Sequence, residues 1–237
     1  MTLNNTSPDF WSAALRSERY EVATRIVLTG KHHIELLDVA NLEALVDREA
    51  VLRSVDPVEP PYWAHLWTGA IELARHLDAH HQCAEQNVLD LGCGLGLVGI
   101  VAALEGARVT FLDRDADALA FAAASAELNG CRPVALCQID FTRENLGRRF
   151  DLILAAEVLY DAAAFTPLIR FFTMHLSSGG SVMLADAHRT DTRAFYDALT
   201  ACGYCFTVQR TTVREERLPL AVDIVTARRS GDGGPAR

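Results

Sequence analysis

The segment Asp90-Leu-Gly-Cys-Gly-Leu-Gly96 closes an apolar run with an acid and follows it with glycines at 92, 94 and 96. A short apolar strand that runs into glycines and then into an apolar helix directs backbone amides at a nucleotide-sized ligand. The same loop satisfies a second pattern. Gly94-Leu-Gly-Leu-Val-Gly99 reads G-x-G-x-x-G, and Asp113 follows at roughly the ~20-residue spacing of the ribose-binding acid in dinucleotide sites. Both patterns call for a nucleoside cofactor. Asp113, at the end of a second apolar run, is placed to accept both ribose hydroxyls, because ligands of open α/β sheets bind at these strand ends. Its structural alternative is a helix N-cap, a role for which Asp115 is better placed. Asp90 either orders the loop or reaches the amino group of the cofactor through water.

Presenting that loop requires alternating strands and helices. Periodicity predicts strands over 87–91, 108–112, 134–139, 150–155 and 181–185, with helices over 68–80, 97–104, 115–129, 162–176 and 192–201. Such β-α-β alternation builds a doubly wound, mostly parallel sheet with helices on both faces. After residue 201 the pattern changes to two β-prone runs, 204–213 and 221–227, with no helix between them. Ahead of the alternation, residues 25–37 read as a hairpin about a Gly-containing turn and 41–53 as a helix, while Asp56-Pro-Val-Glu-Pro-Pro61 reads as a linker. Residues 1–60 are therefore expected to form a small hairpin and helix appendage, 61–228 the α/β domain, and 229–237 a disordered tail.

Composition narrows the function. With 237 residues there is room for one embellished α/β domain, and too little for a dinucleotide domain plus a second domain of usual size. No apolar run approaches the ~20 residues of a membrane helix. The start, Met-Thr-Leu-Asn-Asn-Thr-Ser-Pro, lacks a basic-then-apolar signal, so a cytoplasmic protein without a membrane partner is expected. A net charge of −9 with no basic run argues against nucleic acid as a partner. Scattered cysteines at 83, 93, 131, 137, 202 and 205 suit reduced, mostly buried thiols. Cys202-Gly-Tyr-Cys205 has redox-motif spacing but falls at a late helix-to-strand junction, which favours ordinary packing. The pairs His32-His33 and His80-His81 have no partner at a recognisable zinc spacing, so no metal is expected.

The acid-x-Gly-x-Gly-x-Gly pattern from Asp90 to Gly96 resembles the first motif of the class I, seven-strand S-adenosylmethionine methyltransferases. The strand pair at the end resembles the antiparallel terminal pair of that fold, which a simple dinucleotide domain does not have. Covering residues 25–228, the resemblance implies a Rossmann-like seven-strand sheet and S-adenosyl-L-methionine as cofactor. It further implies that the amides of Gly92, Cys93, Gly94 and Gly96 meet the methionine end and ribose. Asp140 would lie near the adenine amino group, Phe141 against the ring or in the core, and Ala156 would leave room for the ligand.

Further positions narrow the resemblance. Pro61-Tyr-Trp-Ala-His-Leu-Trp67, followed by Gly69, is similar to the pre-motif of the protein-lysine and N-terminal-amine methyltransferases, with Trp67 as a cofactor wall or a helix anchor. Glu157-Val-Leu-Tyr160 is similar to the acid-x-x-Tyr motif of that group. Ala185-Asp186-Ala187-His188-Arg189 stands where bacterial relatives, some named nicotinamide methylases by similarity, often carry Asp-Pro-Gly-Arg.

The resemblance implies methyl transfer to a protein amine, lysine foremost. A small nitrogen heterocycle or other metabolite is the alternative acceptor, and a non-catalytic cofactor-binding protein the alternative of another class. An amine must be neutral to attack, and deprotonating a lysine of pKa ~10.4 at pH 7 costs roughly 4 to 5 kcal/mol. Glu157 is expected to position the amine first and to accept its proton second, with Tyr160 hydrogen-bonding nearby.

Overall fold

A computed structural model describes residues 2–3, 19–42, 61–80, 83–131, 134–215 and 218–231. In chain order these form β1 (Thr2–Leu3), β2 (Val22–Leu28), β3 (His33–Val39), α1 (Thr68–His80), β4 (Asn87–Leu91), α2 (Leu97–Leu104), β5 (Arg108–Asp113) and α3 (Ala116–Leu128). Then follow β6 (Ala135–Gln138), β7 (Phe150–Ala156), α4 (Phe165–His175), β8 (Leu176–Asp186), α5 (Arg193–Ala201), β9 (Tyr204–Glu215) and β10 (Leu218–Arg229). Most of the helix expected over 41–53, the linker before Pro61 and the end of the tail lie outside the described residues.

Across the main sheet the strands run β1-β6-β5-β4-β7-β8-β10-β9. The inner strands pair in parallel, and β10 runs antiparallel to both β8 and β9, as the terminal strand pair requires. The described sheet has eight strands because Thr2 and Leu3 pair antiparallel with Cys137 and Leu136 on the outer edge of β6. Two residues are too few to carry a periodicity, so this strand left no trace in the sequence pattern. Strand β8 starts five residues before the expected Ser181, at Leu176, which pairs with Phe150. Register then shifts, and the next pair is Ser181 with Leu152. The Ser-Ser-Gly-Gly run between them bulges out of the ladder, and its composition reads as a turn. The expected helix over 162–176 divides into a 3-10 turn at Ala162–Ala164 and α4.

Alternation along the strands separates two cores. Val88, Leu152 and Leu154 face one side with α1, α2 and α3, whereas Leu89, Leu91 and Ile153 face the other with α4 and α5. The separate β2-β3 hairpin joins the first of these cores by burying Val27, Ile34 and Leu36. Ile34 and Leu36 are wholly buried, each contributing roughly 1.5 to 3 kcal/mol. Polar contacts fix its register against α3: the Leu37 amide donates to Ser125 Oγ at 3.0 Å and the Glu35 amide to Asn129 Oδ1 at 3.0 Å. All six cysteines are free thiols, and contrary to expectation Cys202 and Cys205 are exposed, since α5 ends there and β9 is the outer strand.

Gly99 governs how closely α2 approaches the sheet. A Cβ at this position would lie 2.3 Å from Phe111 Cε1 and 2.8 Å from Asp90 Oδ2. Alanine would gain ~0.5–1 kcal/mol of helix preference but overpack the contact, at a cost of ~1–3 kcal/mol. Gly99→Ala is therefore expected to lower stability by ~1–2 kcal/mol net, read as an earlier midpoint in urea unfolding. A later midpoint would show that α2 can move off Phe111.

Candidate functional site

The strand order reverses at β4, which has β5 on one side and β7 on the other, and a crevice opens where the connections leave in opposite directions. The carboxyl ends of β4, β5, β6 and β7 surround a cavity of about 530 Å³, within the ~300–1,000 Å³ range of small-molecule sites. Its wall includes Trp67, Asp90, Gly92, Cys93, Gly94, Asp113, Asp140, Phe141, Ala156, Glu157 and Tyr160. Gly96 is buried off the wall: it begins α2 in a left-handed conformation, and a Cβ there would meet Ala122.

The glycine loop is tied to the strands beside it. Gly92 and Cys93 donate their amides to the Leu112 carbonyl at 2.8 and 3.0 Å, and Gly94 donates to Asp113 Oδ2 at 3.0 Å. These amides, expected to meet a ligand, already have protein acceptors. Glycine is nevertheless required at 94, where φ is +51° and a Cβ would stand 3.0 Å from the Trp63 carbonyl. Trp63 belongs to a 3-10 turn, Tyr62–Ala64, that roofs the loop.

Asp113 is 8% exposed, and its Oδ1 accepts the Asp115 amide at 3.0 Å. With one amide on each oxygen, it keeps lone pairs for further donors. The N-cap of α3 is Asp115, which accepts the Asp117 amide at 2.8 Å. Asp90 accepts the Gly99 amide at 2.9 Å, so it orders the start of α2. Burial lifts its carboxyl to about 7, the Gly99 amide opposes this, and the nearby Asp113 adds to it. Burial likewise raises the Asp113 carboxyl. The Cys93 thiol is held well above its usual pKa by burial and by Asp113 and Asp90, so it is no nucleophile. Asp140 accepts the Thr142 hydroxyl and amide at 2.6 and 2.9 Å. Phe141 lines the cavity and also packs edge-on against Phe171.

Glu157 anchors the far wall. Its φ of +56° is unusual for a residue with a side chain, a strain of ~1–3 kcal/mol that its neighbours must over-determine. Its amide donates to the Ala185 carbonyl at 3.0 Å, and its Oε1 accepts the Gly69 amide at 3.0 Å in the first turn of α1. A Cβ on Gly69 would come within 2.5 Å of that oxygen, so only glycine admits the carboxylate. Oε2 faces Arg189 Nε at 3.6 Å. Burial raises the Glu157 carboxyl, and Arg189 and the Gly69 amide offset part of the rise.

Arg189 also bonds Glu215 at 2.9 and 3.3 Å and lies over the Trp67 ring, 4.9 Å from its centroid. Trp67 lines the cavity, and its indole N–H donates to the Tyr62 carbonyl at 2.9 Å. Tyr62 and Tyr160, 45% and 50% exposed, form the mouth with ring centroids 6.1 Å apart. Sequence reasoning did not single out Gly69, Arg189, Tyr62 or Trp63 as site residues. The only signals for them were the aromatic segment from Pro61 to Trp67, the glycine after it, and the arginine at the end of the segment from Ala185.

Residues 63–208 match the family described as the methyltransferase small domain. Over 128 residues the chain is 36% identical to the protein N-lysine methyltransferase METTL21A of Xenopus tropicalis, covering 51% of this chain and 58% of that protein. Over 137 residues it is 35% identical to the electron transfer flavoprotein beta subunit lysine methyltransferase of Danio rerio, covering 56% of this chain and 52% of that protein. The chain thus spans about half the length of these curated relatives. A solved ribosomal protein L11 methylase from Lactobacillus delbrueckii subsp. bulgaricus superposes with a TM-score of 0.59 at 20% identity, over 87% of this chain and 99% of that one. A precorrin-6y C5,15-methyltransferase from Geobacter metallireducens gives 0.55 at 21% identity, over 68% and 87%. Both likenesses are of fold. The family match runs from the Trp63 roof through every strand that borders the crevice, and the chain belongs to the methyltransferase small domain family.

Proposed function

We propose that this chain transfers a methyl group from S-adenosyl-L-methionine to the amine of a protein lysine. The observation that carries the reading is Glu157, a buried carboxylate pinned at the crevice beside a mouth built of aromatic rings. Relatives named as protein N-lysine methyltransferases support it.

When bound, S-adenosylmethionine supplies an electrophilic methyl group on a positively charged sulfonium. The residues fit such a molecule: Asp90 and Asp113 are carboxylates on one cavity wall, burial disfavours the charge of each, and a cationic ligand relieves that cost. Asp113 would accept the ribose hydroxyls on its remaining lone pairs, and Asp140 and Phe141 would flank the adenine. The bare loop of Gly92, Cys93 and Gly94 allows close approach, Ala156 leaves room, and Trp67 closes the side.

The mouth then has to align an amine and exclude water from it. Tyr62, Trp67 and Tyr160 offer ring faces to an ammonium, each worth ~0.5–2 kcal/mol. Glu157 draws that ammonium in by charge, which alone would hold it protonated. Its burial makes it a stronger base than an exposed carboxylate, and this carboxylate is the group that takes the proton. Tyr160 hydrogen-bonds near the amine and completes the alignment.

Labelled methyl groups from the cofactor should enter protein bands when the purified chain is added to a lysate lacking it. Label confined to small molecules would overturn the acceptor class. Glu157→Gln keeps an oxygen for the Gly69 amide and removes the charge, so turnover should fall about 100-fold or more while cofactor affinity is unchanged. Equal single-turnover rates would end its catalytic assignment.

Cofactor affinity should depend on pH through Asp90. With its folded-state pKa at about 7, a cationic ligand selects the ionised form, so affinity for S-adenosylmethionine should rise about tenfold from pH 6 to 8. The stability contribution of the same group has the opposite sign: present below the unfolded pKa of ~3.9, it is lost as pH climbs through the folded value. Titration calorimetry of wild type and Asp90→Asn checks this, and equal pH slopes would remove Asp90 from the binding. Asp113→Asn keeps an acceptor for one of its two amides and should weaken binding by ~1.5–3 kcal/mol. Unchanged affinity would leave Asp113 as a loop anchor alone.

A further inference from the structure

At the ends of α1 and α2 away from the crevice, the fold gathers three side chains that are far apart in the sequence. His32 comes from the hairpin turn, Asp78 from the last turns of α1, and Glu105 from just beyond α2. His32 Nε2 lies 3.1 Å from Glu105 Oε1 and 3.6 Å from Asp78 Oδ1, and the three donor atoms all fall within 4.8 Å of one another. Asp78 is wholly buried. Its Oδ2 accepts the Thr29 hydroxyl at 3.0 Å and the Lys31 amide at 2.7 Å, which closes the hairpin turn onto α1. Its Oδ1 has no hydrogen bond and points into the cluster. A buried carboxylate oxygen without a donor is costly, and its position next to an imidazole and a second carboxylate leaves room for a cation. Lys31 Nζ approaches the cluster, 3.2 Å from Glu105 Oε1 and 3.8 Å from Asp78 Oδ1. Its side chain is 58% exposed and free to swing into solvent.

We propose that His32 Nε2, Asp78 Oδ1 and Glu105 Oε1 bind a divalent transition-metal ion of the zinc class, with water as fourth ligand. One imidazole nitrogen with two carboxylate oxygens suits zinc better than calcium or magnesium, which take oxygen shells. Zinc bonds of about 2.0–2.1 Å in a tetrahedron set donor atoms roughly 3.3–3.4 Å apart. The separations of 3.1 and 3.6 Å straddle that edge length. Binding neutralises both carboxylates, displaces the Lys31 ammonium, and clamps the hairpin to α1 and α2, so the ion is structural and stands apart from methyl transfer.

The test uses the full chain with Cys202→Ser and Cys205→Ser, which removes the exposed thiols as competing zinc ligands. Chelator-treated protein is titrated with zinc chloride by calorimetry and melted with and without zinc, and cobalt(II) is added for its visible spectrum. One equivalent should bind, the melting temperature should rise, and cobalt should show four-coordinate absorption. His32→Ala and Glu105→Gln should each lose more affinity than the ~10–100-fold typical of an outer-shell change. Lys31→Met should tighten binding by removing the competing cation. Asp78 stays intact because the hairpin turn depends on it. Three results would overturn the proposal: no saturable binding, affinity unchanged in both ligand variants, or a Lys31→Met protein that melts earlier without binding zinc more tightly. The last would make the ammonium the resident cation of the cluster.

Discussion

Buried carboxylates that accept backbone amides hold the crevice together. Asp90 takes the Gly99 amide and aims α2, Asp113 ties the Gly94 loop to the turn after β5, and Glu157 takes the Gly69 amide at the start of α1. The Gly99 and Gly69 bonds join the end of a strand to the first turn of a helix, where amides are unsatisfied and carry partial positive charge, and the Asp113 bond joins a strand end to the glycine loop. Charge-assisted bonds of this kind fix position more firmly than neutral ones. They also explain the electrostatics of the site, since carboxylates spent on shaping loops are buried and resist ionisation. The scaffold requirement and the preference for a cationic ligand arise from the same groups.

A second constraint comes from above the glycine loop. Tyr20, Trp63 and Phe121 form a mutually edge-on or tilted aromatic cluster, with centroids 5.2 to 5.7 Å apart, that presses the roof onto α3. The Trp63 carbonyl stands where any side chain at position 94 would project. Roof and loop are therefore matched in shape. The chain ahead of the α/β domain contributes to the crevice through this cluster and through the buried face of β3.

The terminal antiparallel pair also reaches the site. Glu215, the last residue of β9, binds Arg189 and the Thr68 hydroxyl, and Arg189 in turn covers Trp67 and faces Glu157. The Arg189 guanidinium stands between two carboxylates, and the pairing holds Glu215 below its usual pKa. A strand pair that looks peripheral in the topology thus sets the charge and position of the group proposed to handle the amine. Its effect travels through one arginine and one helix N-terminus.

Much of this was legible from residue order alone. Periodicity located the hairpin, the alternating elements and the closing strand pair, because burial on both faces of a parallel sheet forces continuous apolar runs and helices follow a 3.6-residue repeat. Asp90, Gly92 and Gly94, with Asp113, Glu157 and Tyr160, marked the crevice because such motifs are local in sequence. Partnership was not legible. That Gly96 turns inward, that Gly69 exists to admit Glu157, that Arg189 bridges Glu157 and Glu215, and that His32 meets Asp78 and Glu105 all depend on elements brought together by folding. A periodicity records which face of an element is buried, whereas hydrogen bonds and ion pairs form between particular atoms of different elements. Only their packing in three dimensions decides which atoms meet.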